Sequence, residues 1–389
     1  MSTETESSPV ERARTLLPSI AAEADRIERE QRIPGHLLEA LADAGLFKLL
    51  APRSLGGSEV DFVTYAQTLE VLAMGDASLA WCIGQASPLV MRMPWAEPEV
   101  AREVLSPRDA VLASGTATPQ CHAVPVAGGY RVTGEWRFGS GGHHATWLLG
   151  DVRVTDADGT PQLVPSGAPR STIVMFPQAN VTWHDNWQVS GLRGTGSDTY
   201  AVTDLFVPDD HVINVSQPPR TPSKLTCFPV RVGHGAGFAS IACGIVRVML
   251  DTFEEVAQGK IPRAGMTVLR DNAVVQSQVG RAEAILGAAR AYMHDTLRKA
   301  WEYANVHGDL SIELRVRMRL ANTHALQEAA RAGDMMHMAA GSTAVFQSSP
   351  FERRFRDLHA ATAQVQAQQI HYETAGQFFL GIDPERAWI

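Results

Sequence analysis

The sequence predicts an α+β protein, mostly α, with an N-terminal helical domain, a small central β-barrel domain and a C-terminal four-helix bundle. Three observations predict it. Apolar residues recur at helical spacing before residue 110. Glycine, proline and β-branched residues then recur at short spacing to about residue 212. After a proline-rich linker over 217–229, long helical patterns run to the end.

The expected units are a disordered tail over 1–9, helices over 10–110, a β domain over 111–212 and the bundle over 213–389. Leu16, Leu17, Ile20, Ala21, Ala24 and Ile27 lie on one helical face. Pro34 suits a first helical turn, and Leu37, Leu38, Leu41 and Leu46 continue the pattern. A further helix covers 61–86, with Asp76 and Ser78 able to cap the segment that carries Trp81 and Cys82. Gly128-Gly129 between two β-rich runs marks a hairpin. Strands are expected at Trp147–Val152, Thr172–Phe176 and Tyr200–Val207. Helices are expected over 232–258, 270–306, 310–340 and 357–380. The second of these would be roughly 55 Å long, and helices of that length pack side by side.

With 45% hydrophobic and 20% charged residues, the composition is that of an ordinary globular protein. A net charge of −8, with no basic stripe, argues against nucleic acid. No apolar run reads as long enough to span a bilayer, so no membrane partner is expected. Cys82, Cys121, Cys227 and Cys243 are widely spaced, which fits a reduced cytoplasm.

The stretch 186–208 carries the densest chemistry. Gly191, Gly194 and Gly196 let the backbone approach a ligand, and Arg193, Thr195 and Ser197 supply donors for an electron-rich or anionic partner. It leads into a strand, so it is no dinucleotide fingerprint. A plain glycine-rich hairpin loop remains an equal reading at this point. His143-His144 has no third ligand at suitable spacing, so no metal site is expected. His144 is placed instead at the border of a ligand pocket. Gly139-Ser140-Gly141 lacks the nucleophile-elbow pattern, which argues against a serine hydrolase.

The order of helices, β domain and bundle resembles the acyl-CoA dehydrogenase fold. Pro52–Gly57, the loop Arg193–Asp198, Phe206-Val207-Pro208 and Pro350–Asp357 match its motifs. The finer resemblance is to the reductase-dependent, two-component flavin monooxygenases of that fold (group D), similar to 4-hydroxyphenylacetate and 3-hydroxy-9,10-seco-steroid hydroxylases. Trp136–Gly141 with His144 and Trp147, the loop from Gly194 to Thr199, and Arg356–Ala360 carry it. In dehydrogenases of the fold a glutamate base commonly lies about eight residues after the Arg-Asp pair. Val365 stands there, flanked by Gln364 and Gln366.

The resemblance implies reduced FMN or FAD from a separate NAD(P)H-flavin reductase, and O2 reacting through a C4a-hydroperoxide. The product is an oxygenated aromatic or polyketide-like small molecule, as in secondary metabolism. By position it implies that Ser114, Trp136, Phe138, Ser140, Arg193, Thr195, Ser197 and Arg231 hold the flavin. Arg270 and Gln276 would touch the flavin tail of a neighbouring subunit in a homotetramer. Trp81, Met91 and Gln364 would meet the substrate. Ser140, His144, Gln364 and His371 are the expected catalytic groups. Phenol-hydroxylating relatives often carry a histidine where Gln364 stands. His371 is a possible substitute, since a continuous helix would place both on one face about 10 Å apart. Amine N-oxidation, epoxidation, an oxidase step, an acyl-CoA dehydrogenase-like flavoprotein with a relocated base, and a flavin-free scaffold are the alternatives.

Overall fold

The computed structural model describes residues 7–389 except 264, 385, 387 and 388. The first six residues of the expected tail lie outside the described set. Order begins before residue 10. Ser8 Oγ accepts the Glu11 N–H and the Glu11 carboxylate accepts the Ser8 N–H, a reciprocal cap that starts α1 (Pro9–Glu30). Next come α2 (Gly35–Asp43), α3 (Phe62–Gly75), α4 (Ala77–Leu89) and α5 (Pro98–Leu105). Asp76 ends α3 and caps α4 by accepting the Leu79 N–H at 2.7 Å.

Among the described residues nine strands follow: β1 (Leu112–Ser114), β2 (Thr116–Ala117), β3 (His122–Val126), β4 (Gly129–Arg137), β5 (Trp147–Val154), β6 (Ser171–Pro177), β7 (Thr182–His184), β8 (Thr199–Pro208) and β9 (Val212–Ile213). They form one mixed sheet ordered β7-β8-β4-β3-β5-β6-β9, with β1 on β5 and β2 on β4. Among the described residues β7 and β9 do not pair, so the expected barrel is an open, wrapped sheet. It encloses its own core, built on Trp136, Phe176, Tyr200, Leu148 and Val152.

The C-terminal part comprises α6 (Val230–Gly259), α7 (Ala273–His307), α8 (Ile312–Ala340), α9 (Pro350–Thr362) and α10 (Ile370–Phe379). α6 to α9 and the N-terminal helices share one apolar core, from Ala13 to Ala367, while Ala375 of α10 joins a separate small cluster with Val316 of α8. Contrary to the sequence reading, α6 is long and apolar enough to cross a membrane. Its apolar window is 78% buried inside the protein, which is the environment of a core helix.

The expected helix over 357–380 is broken. α9 ends at Thr362, a 3-10 turn spans Val365–Ala367, and α10 starts at Ile370. Gln364 is extended, and its own Oε1 accepts the Gln366 N–H at 2.7 Å. A side chain that offers the backbone a local bond competes with the helix. Gln364 and His371 therefore share no continuous helical face.

Candidate active site

Two parts of the chain meet on α4, the turn after β4 and the start of α6. The Gly141 turn abuts Cys82 so closely that a Cβ there would lie 3.2 Å from the Cys82 Cβ. One residue earlier, Trp81 stacks on Phe238 of α6 with ring centroids 3.8 Å apart and planes at 3°. One turn later, the Gln85 carbonyl accepts a hydrogen bond from the His234 ring. α4 is thus the wall common to the sheet and to the start of α6.

Arg231, His234 and Phe238 follow at helical spacing and share one face of α6. Met91 lies against Gly233 on the adjacent side. Arg92 reaches Asp151 of β5 at 3.6 Å. Beneath the first turn of α6, buried Arg319 of α8 bonds the Gln366 side chain, and Asn322 Nδ2 lies 3.4 Å from the Val232 carbonyl. Burial, reinforced by Arg231, lowers the Arg319 guanidinium to about 10. Burial also drives the His234 ring down to about 3, with Arg92, Arg319 and Arg231 adding repulsion. His234 is therefore neutral at any working pH. Three buried polar atoms here have no hydrogen-bond partner: His234 Nε2, Gln364 Nε2 and Asn322 Oδ1. Orphaned polar atoms beside cations and a stacked aromatic pair fit an electron-rich planar ligand.

The glycine-rich loop is closed by protein. A Cβ at Gly191 would collide with the Arg356 carbonyl oxygen, one at Gly194 with Ile27, and one at Gly196 with the Gln31 carbonyl oxygen. These glycines serve contacts with α1, the residue after it and α9, which corrects the expectation that they let the backbone approach a ligand. Arg193 turns toward Glu28 of α1, at 4.0 Å. Thr195 and Ser197 face inward and join Ser140 in a hydroxyl chain. Thr195 Oγ1 donates to the Leu192 carbonyl at 2.7 Å, so it must accept from Ser197, which lies at 2.6 Å. Ser197 in turn accepts from Ser140 at 2.7 Å. The Ser140 proton is committed inward, and its lone pairs are left to accept.

The other expected residues scatter. Trp136 is fully buried within the sheet, where it stacks on Tyr200 and donates Nε1–H to the Asp151 carbonyl. It presents no face to a ligand. Phe138 stands 58% exposed at a left-handed φ of 60°, edge-on to Trp187. Ser114 ends β1, opposite Leu149. His143 and His144 lie in a 3-10 turn. His143 Nε2 meets the Asp198 carboxylate at 2.8 Å, and His144 Nε2 accepts the Ile33 N–H at 3.0 Å. The acceptor expected for catalysis is thus spent on the chain after α1. His371 is buried, with Nε2 2.8 Å from the Val365 carbonyl. Arg270 and Gln276 bond each other at the start of α7, and Arg270 also holds Gln258 at 2.8 Å. Gln258 is about 36 Å along α6 from His234, so within one protomer that pair is far from the His234 cluster.

Two surface clefts, of about 400 and 520 Å³, lie elsewhere, at Tyr292, Tyr303 and Arg317 and at Arg53, Glu59 and Lys224. Neither contains an orphaned buried polar atom. Among the described residues no group of three His, Cys, Asp or Glu is placed to hold a metal ion.

Residues 3–107 match the acyl-CoA dehydrogenase N-terminal domain and residues 236–369 the acyl-CoA dehydrogenase C-terminal domain. The chain belongs to the acyl-CoA dehydrogenase family. Within that family its relatives are flavin-dependent monooxygenases. It is 26% identical over 367 residues to indole-3-acetate monooxygenase of Pseudomonas putida, covering 93% of this chain and 91% of the relative. It is 26% identical over 392 residues to the flavin-dependent monooxygenase oxygenase subunit HsaA of Rhodococcus jostii, covering 98% and 96%. The solved structure of XiaF from Streptomyces sp., in complex with FADH2 and glycerol, superposes with a TM-score of 0.89 at 26% identity, covering 97% of this chain and 96% of that one.

Sequence reasoning missed His234, Phe238, Arg92, Arg319 and Asn322. A signal for the first two was present. In the glycine- and alanine-rich start of α6, the large side chains of Arg231, His234 and Phe238 fall three and four residues apart.

Proposed function

We propose that this chain is the oxygenase component of a two-component flavin monooxygenase, taking reduced FMN or FAD from a separate NAD(P)H-flavin reductase and oxygenating an aromatic or polyketide-like small molecule. The observation that carries this reading is the buried cluster beside α4: a stacked aromatic pair, three arginines and orphaned buried polar atoms. Bound reduced flavin would supply the activation of O2, which no amino-acid side chain supplies.

The chain's own residues would do the rest. Arg231, on the first turn of α6, would offset negative charge on the reduced ring, aided by the helix N-terminus. Ser140, its proton held inward, would accept from a ring N–H. Trp81 and Phe238 would keep the substrate side dry, which protects a reactive oxygen species from water. No carboxylate stands at 364–366 to remove an α-proton, which argues against plain acyl-CoA dehydrogenation.

We also propose a homotetramer in the cytoplasm. The helical part exposes Val274, Val306, Phe346, Phe379 and Leu380, apolar surface suited to association with further copies. Light scattering checks this, and a monomer would rule out flavin sites shared between subunits. The function is tested by anaerobic titration with reduced FMN and FAD, followed by an oxygen pulse. The expected result is tight binding of one reduced flavin and a transient absorbance unlike that of the reduced or oxidised flavin. Absence of binding by either flavin overturns the reading.

A further inference from the structure

We infer that His234 is the substrate-orienting residue of this cluster, its Nε2 accepting a hydrogen bond from a ring-borne O–H or N–H of an aromatic substrate bound beside Trp81 and Phe238. The inference rests on the monooxygenase reading and deepens it.

His234 Nε2 is out of solvent and has no hydrogen-bond partner. Leaving such a group unmade costs about 1–3 kcal/mol. The ring bonds the Gln85 carbonyl, and a carbonyl only accepts, so the bonding nitrogen carries the proton. With Nε2 the orphan, the proton sits on Nδ1 and Nε2 presents a lone pair. Burial and the three surrounding arginines keep the ring neutral, so the lone pair is permanent.

What could fill it follows from the walls. Phe238 lies one turn further along α6, its ring centroid 5.9 Å from that of His234, and it is itself stacked on Trp81. Flat aromatic faces select a flat aromatic ligand. A lone pair at their edge selects one that carries a hydrogen-bond donor. Arg92 and Arg231 on the same side stabilise the negative charge that such a donor develops as it shares its proton. A phenol or an indole meets all three requirements.

This assigns a role left open elsewhere. Gln364 cannot act as a base, and His144 is spent on the Ile33 N–H. His234 is the histidine whose free nitrogen is held beside the stacked pair.

The test compares indole with 1-methylindole, which lacks the N–H, and with 3-methylindole, which has the same added carbon but keeps the donor. Binding is followed by tryptophan fluorescence, with and without anaerobic reduced FMN. For the wild type, indole and 3-methylindole should each bind about tenfold tighter than 1-methylindole, the worth of one hydrogen bond. In His234→Phe that ratio should fall to about one, with an unchanged or higher Tm, because an orphaned polar atom has been removed. His234→Gln, which keeps an acceptor, should retain part of the preference and covers the case in which the phenylalanine variant does not fold. A ratio of one in the wild type, a ratio unchanged in His234→Phe, or no binding of any indole in either condition overturns the inference. The flavin titration is run on the same proteins. Flavin binding that persists while the donor preference disappears places His234 on the substrate. Loss of flavin binding in the wild type sinks the monooxygenase reading, whatever the indoles do.

Discussion

The Leu192 N–H donates to Oδ1 of Asp357 at 2.7 Å, which ties the glycine-rich loop to α9 across 165 residues of chain. Leu192 is held at a left-handed φ of 52°, and Arg356 beside Asp357 donates to the Ser190 carbonyl. The Arg-Asp pair, a family motif by resemblance, is therefore a clamp on the loop. At pH 5, Asp357→Ala should cost about 2 kcal/mol, since it leaves the buried Leu192 N–H without an acceptor. Urea unfolding checks this, and a change below about 0.5 kcal/mol would show that the clamp is redundant.

Asp357 also makes stability depend on pH. Burial, with Asp76 close by, raises its carboxyl to about 7. The native state then binds more protons than the unfolded state between pH 4 and 7. The stabilisation is complete below about pH 4 and is lost as pH rises through 7. Asp357→Asn keeps an acceptor oxygen without the titration. Its stability relative to wild type should climb across that window, by an amount on the order of a few kcal/mol. Parallel curves would show that Asp357 does not titrate there.

Gly191 allows no side chain. Its Cβ would overlap the Arg356 carbonyl oxygen, which is helix backbone and cannot yield. Gly191→Ala should cost about 2–3 kcal/mol and should loosen the loop, seen as faster amide exchange at 192–198. Wild-type stability in this variant would mean that the loop tolerates a shift.

His144 has the opposite sign. Burial, with His143 and Arg32 adding repulsion, holds it down at about 4. Between pH 6.5 and 4 the unfolded state gains a proton that the folded state refuses, so stability falls as pH falls through that range. Protonation would also set a donor against the Ile33 N–H. His144→Gln should flatten this acid limb, removing roughly 2–3 kcal/mol of pH dependence. Acid titrations of the variant and wild type that superpose would refute it.

The hydroxyl chain predicts a redox preference. Reduced flavin carries an N–H where oxidised flavin carries a lone pair, and Ser140 is held as an acceptor. Ser197→Ala frees the Ser140 hydroxyl to turn. The preference for reduced over oxidised flavin should weaken about tenfold, the worth of one hydrogen bond. Equilibrium titration with each form reads it, and an unchanged ratio would separate Ser140 from the ring.

Periodicity made the helices legible because a buried stripe constrains residues close in sequence. α6, α7 and α8 lie within a few residues of the expected bounds. The break at 363–369 was not legible in that way, because it depends on one Gln364 side chain bonding its own backbone. The open edge of the sheet depended likewise on which strands pair at long range.

The sequence by itself determined the order of helices, sheet and bundle, and through its motifs the flavin-monooxygenase resemblance, since both are written in local spacing. Only the tertiary structure decided what each polar residue does. Gly191, His144 and Trp136 carried functional signatures, yet each is satisfied by protein: α9, the Ile33 N–H and the sheet core. His234 carried only its helical spacing with Arg231 and Phe238, yet its Nε2 is left unmatched beside a stacked aromatic pair. Whether a hydrogen-bonding group is spent or spare depends on neighbours brought from distant parts of the chain, and residue spacing does not encode those neighbours.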